Sequence, residues 1–136
     1  MTHDDLIHRF ESNAIPAASF HHADHIQLAF AYLNKYPVLP ALEKFTAALK
    51  NFAAAHNKPQ LYHETITYAF FFLIHERMAR TTAVDWEQFS RDNADLFVWK
   101  NGILSRYYSN TALGSDLGRR IFLLPDKLHR ESPDGV

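Results

Sequence analysis

Leu42, Phe45, Leu49, Phe52 and Ala53 return at three- and four-residue steps, with Glu43, Lys44, Lys50 and Asn51 between them. A strand changes sides at every residue and a helix comes round every 3.6, so only a helix gathers these five side chains on one face. A chain carrying such a stripe must bury it against other elements. The rest of the apolar set favours more helices: Leu, Ala and Phe dominate and Val occurs only four times. Unbranched side chains lose less rotamer freedom in a helix than branched ones. The expected fold is therefore all-α, a compact bundle of about five to six helices ending in short helical turns, with one domain over 1–136 and loose termini at 1–2 and 128–136.

Start and stop signals divide the chain. Thr2 with Asp5 makes a capping box for a first helix that must end before Pro16. The second helix has two candidate starts, Ser19 or Asp24, and ends near Tyr36, before Pro37. Pro40 suits the first turn of the third. Pro59 opens a fourth helix over about 61–80, whose centre, Tyr68 to Ile74, would by itself also suit a short buried strand. Asp85 with Gln88 caps a short fifth helix, and Asn93 is a candidate cap for a sixth. Gly102, Gly114 and Gly118 punctuate the rest, and Ile121 to Leu124, stopped by Pro125, reads as helical turns over the bundle.

Several function classes fall away on composition. The 136 residues contain no cysteine, which removes disulfides, thiolate zinc sites and cysteine nucleophiles. Fourteen Lys and Arg against 15 Asp and Glu leave a net charge of −1, with no basic track interleaved with aromatics, so no nucleic-acid partner is expected. The longest apolar run, Tyr68 to Ile74, is far short of the roughly 20 residues that span a bilayer. The acidic start, Asp4-Asp5, is unlike a signal peptide, and a cytoplasmic protein without a membrane partner is the expectation. Phe71 and Phe72, placed on the outside by the helical wheel, mark either a homodimer surface or a second packed face.

The chemistry-bearing candidates lie on the inner faces. Rotation by about 100° per residue puts His22 in line with Ile26, Ala29 and Leu33, with His25 flanking the same face. On the fourth helix His63, Thr67, Phe70, Ile74 and Arg77 form an inward row, with Thr65 turned away. Polar groups in a core stripe cost free energy unless paired, so these need partners in one another, in water or in a ligand. His22, His25 and His63 are thus candidate metal ligands for Zn²⁺ or Fe²⁺, and equally candidates for core histidines satisfied by carbonyls. Glu64 and Thr67 are the candidate catalytic groups, Glu64 as a base beside the metal. Arg77, Tyr108, Arg119 and Arg120 are candidate ligand-binding groups, the arginines being suited to a carboxylate or to pairing with Asp116 or Asp126.

The segments Phe20-His21-His22-Ala23-Asp24-His25, Tyr62-His63-Glu64-Thr65-Ile66-Thr67, Tyr107-Tyr108-Ser109 and Arg120-Ile121-Phe122-Leu123-Leu124-Pro125-Asp126 resemble those of a small all-helical bacterial family to which no activity is attached. A looser likeness is to phosphohydrolases that hold metal through a helical His, His-Asp and Asp set. That likeness implies His22 or His25 as first ligand and His63-Glu64 in place of the His-Asp pair. Asp92, Asp95 or Asp116 would supply the last ligand. The expected function is a metal-binding helical protein acting as a small-molecule hydrolase or oxygenase. The alternatives are a module that binds a small organic anion without catalysis, its histidines serving as neutral hydrogen-bond partners, and a structural or partner-binding bundle.

Overall fold

The computed structural model describes residues 2–82 and 85–127. It is all-α: seven α-helices and no strand among the described residues, five of the helices seven residues or longer. They are α1 (His3–Glu11), α2 (His22–Lys35), α3 (Val38–Ala55), α4 (Glu64–Ala79), α5 (Trp86–Asp92), α6 (Asn110–Gly114) and α7 (Asp116–Arg120), with 3₁₀ turns at Ala17–Ser19, Pro59–Leu61, Ala94–Phe97 and Ile103–Arg106. Tyr68 to Ile74 is helix, settled by the length of helical pattern on either side. The expected loose tail at 128–136 lies outside the described residues.

The caps explain most boundaries. Thr2 and Asp5 form the expected reciprocal box at α1, and Asp85 accepts from the Gln88 amide at α5. Neither expected start of α2 is used. The helix begins between them at His22, and the Asp24 carboxylate accepts from the His21 amide at 2.8 Å, so Asp24 works from inside the first turn. Asn93 is no side-chain cap: its amide donates to Phe89 O while its Oδ1 accepts from Arg77.

α2, α3 and α4 enclose the main core, and α1 packs against α2 and α3 through Ile7 and Phe10. The α3 stripe is buried as its spacing requires, Leu42, Phe45, Leu49, Phe52 and Ala53 each 9% exposed or less. α4 is apolar nearly all round, and both sides are used. Phe71, expected on the surface, is fully buried against Phe45, their rings 5.7 Å apart and stacked, while Phe72 stays partly exposed. The Phe71 side is therefore the second packed face.

The C-terminal run departs furthest from expectation. After α7, residues 121–127 are not helical; they run as a strap across the start of α4. Thr65, placed outside by the wheel, is completely buried beneath it. Its hydroxyl faces Gly118 O at 2.6 Å and Ile121 O at 2.8 Å and accepts from the Leu123 amide at 3.0 Å. A hydroxyl has one proton and two lone pairs, so the two carbonyls share a single donor. Tyr108 donates to Leu123 O, and Ser109 donates through both its amide and its hydroxyl to Asp126. Gly118 is obligatory here because a Cβ would lie 2.6 Å from Ala112 O. The wheel missed this face because it assumes one core, and α4 has a second partner that carries almost no helical periodicity of its own.

Candidate functional site

Where the first turns of α2 and α4 meet α3, the bundle leaves a cavity of about 470 Å³. That is within the range of roughly 300–1,000 Å³ typical of small-molecule pockets. Its walls are mainly apolar: Ile26 and Ala29 from α2, Phe45 and Leu49 from α3, and Ile66, Phe70, Phe71 and Ile74 from α4. His21, His22, His25, Tyr62, His63 and Thr67 supply the polar lining. Leu61, Trp99 and Arg119, all largely exposed, form its rim. His22 and His25 from α2, and His63 at the head of α4, all line this space.

Each ring is already engaged, and its partner fixes its tautomer. A carbonyl can only accept, so His22 carries its proton on Nε2, which donates to Leu96 O at 2.8 Å. His25 carries its proton on Nδ1, which donates to His21 O at 3.1 Å, and its ring packs on Phe20 with centroids 4.2 Å apart. His63 uses both nitrogens: Nδ1 accepts from the Ile66 amide at 3.1 Å as the N-cap of α4, and Nε2 donates to Leu113 O at 2.7 Å. Burial pushes all three below the ordinary histidine value, only partly opposed by the carbonyls they bond; the Arg119 charge lowers His63 further. At neutral pH these are neutral imidazoles.

That geometry decides how well the site fits a metal. A ligating imidazole must offer a lone pair, and His63 has none to spare, so it would have to abandon either its cap or Leu113. His22 Nδ1 and His25 Nε2 remain, with no hydrogen-bond partner among the described residues. Among those residues no group of three or more His, Asp or Glu side chains is placed to hold a metal ion. The expected three-histidine set lines one space but does not form a metal-binding group among the described residues: both nitrogens of His63 are engaged, while His22 and His25 each keep one.

The remaining candidates divide by position. Thr67 lines the cavity. Glu64, in the first turn of α4, accepts from the Tyr62 hydroxyl and stays off the cavity wall. Arg77 is held by Asp95 in a two-pronged pair at 2.8 and 2.9 Å and by Asn93, away from the cavity. Tyr108 is buried under the strap, and Arg120 pairs with Asp116 at 2.9 Å. Arg119 alone of the four ligand-binding candidates reaches the site; it donates to Gln60 O and makes no ion pair among the described residues. Trp99 and Leu61 were not legible as site residues, because they lie in a turn and a 3₁₀ segment where periodicity gives no direction. Trp99 packs on His22 with ring centroids 5.0 Å apart.

His63 is accordingly expected to matter first for stability. His63→Ala removes the cap and leaves Leu113 O without its donor, a loss of about 2–3 kcal/mol. His63→Asn, which restores a capping acceptor, should recover about half of that in urea denaturation. Equal losses in the two variants would contradict the capping role.

No family model matches the sequence, and comparison with curated proteins and with solved structures found no match. Among the described residues no helix is long and apolar enough to cross a membrane.

Proposed function

We propose that the cavity binds a small, predominantly apolar molecule, and that His22 and His25 act as neutral acceptors for a hydroxyl or amine hydrogen on it. The observation that carries this reading is the pairing of an apolar-walled space with two imidazoles whose second nitrogens are unprotonated and without partners among the described residues. Binding pockets characteristically combine apolar walls with a few placed polar groups. Thr67, on the α4 wall, adds a hydroxyl that can donate or accept.

A thermal-shift screen with uncharged aromatic and aliphatic alcohols, phenols and amides tests it. A ligand at a hundred times its Kd stabilises the native state by about 2.7 kcal/mol, which in a domain of this size is a rise in Tm of about 10 °C. The rise should vanish in Ala29→Phe, which places a ring in the cavity from the α2 wall. A screen in which no compound moves Tm, or in which the shifts persist in folded Ala29→Phe, overturns the proposal. Stoichiometric Zn or Fe in protein purified without chelator would replace it with the metal-centre reading, in which the free nitrogens of His22 and His25 are ligands.

A further inference from the structure

Among the described residues, Arg119 is the only side chain of permanent charge that lines the cavity, and no Asp or Glu lines it. Arg77, Arg80 and Arg120, by contrast, pair with Asp95, Glu76 and Asp116. Arg119 spends one N–H on Gln60 O, which fixes the guanidinium at the rim and leaves the rest of its donor fork open. α2 and α4, of 14 and 16 residues, also begin at this space, so the positive ends of both helix dipoles add to the same field. The two acidic residues of those first turns, Asp24 and Glu64, accept from the His21 amide and the Tyr62 hydroxyl and keep their charge, which offsets the helix ends, so what favours an anion here is Arg119.

Resting on the reading of the cavity as a small-molecule site, we infer that its ligand is an amphipathic anion: an apolar body within the bundle and a carboxylate or similar oxyanion at the mouth, held by the Arg119 guanidinium. An arginine fork matches a carboxylate with two parallel N–H···O bonds. An ammonium group in the oxyanion's place would face the Arg119 charge at the mouth with no lining carboxylate among the described residues to pair with.

Isothermal titration with 2-naphthoate, 2-naphthalenemethanol and 2-naphthylmethylamine separates charge from shape, since the three share one apolar body. The wild type should bind the acid at least about tenfold more tightly than the alcohol, and the amine most weakly. Arg119→Gln should bring the acid down to the level of the alcohol and leave the alcohol unchanged, and Arg119→Lys should keep part of the preference. Equal affinities for acid and alcohol in the wild type, or an equal loss of both in Arg119→Gln, overturn the anion inference; if both probes are nonetheless lost in Ala29→Phe, the cavity reading survives that failure. Binding of neither probe, or binding of both undiminished in Ala29→Phe, overturns the cavity reading and this inference together. Ile66→Trp, which fills the space from the α4 wall, serves as the blocking variant should Ala29→Phe not fold.

Discussion

Thr65→Val is expected to cost about 3 kcal/mol or more, despite preserving volume and β-branching. Thr65 is fully buried, and its hydroxyl is what Gly118 O, Ile121 O and the Leu123 amide share. Removing it leaves buried backbone groups unpaired, and each such group carries a desolvation penalty of about 1–3 kcal/mol. Thr65→Ser, which keeps the hydroxyl, should lose far less. Urea denaturation of the two variants checks the magnitude, and hydrogen exchange at the Leu123 amide checks the location. Valine at wild-type stability would show that the strap is held by its own contacts with Tyr108 and Ser109 rather than by α4.

Acidification below pH 6.5 is expected to lower stability. His22, His25 and His63 all have folded-state pKa values below the ordinary 6.5. Below pH 6.5 the unfolded chain therefore binds protons that the folded chain refuses, and stability falls as pH falls. Each such proton contributes at most about 1.4 kcal/mol per pH unit, so three acting together set an upper slope of about 4 kcal/mol per unit, ending where the folded rings themselves protonate. Asp95, held low by its hydrogen bonds with Arg77, adds a separate decline that begins only below its ordinary 3.8. Urea midpoints from pH 7 to 5 measure the slope. A flat profile would mean that the three rings are not kept neutral, and would remove the basis for treating His22 and His25 as acceptors.

The sequence was legible where a residue's role depends on spacing along one element. The α3 stripe and the inward placement of His22 and Thr67 follow from the 100° step of a helix, and the Thr2 and Asp85 caps from residue type at a three-residue spacing, whereas His63 faces inward as the extended N-cap of α4. It was silent where partners lie far away in the chain. That His63 would meet Leu113, and Thr65 the carbonyls of Gly118 and Ile121, involves separations of 50 to 56 residues that no local pattern encodes. The same limit explains the histidine set: residue type and facing suggested ligands, but backbone carbonyls claim the protons of His22 and His63, and carbonyls leave no trace in the side-chain pattern. Arg119 was picked out by chemistry, and only its position separates it from Arg77 and Arg120, whose carboxylate partners occupy them.

The strap imposes an order on biosynthesis. Residues 113–123 supply the partners of His63 and Thr65, so a growing polypeptide that has reached only α5 holds the head of α4 without its far-end anchors. Domains emerge from the ribosome with their N-terminal parts first, and contacts that close large loops form late. The wall that bears Arg119 is therefore the last to arrive, and a nascent chain has the apolar half of its chamber before it has the charged rim.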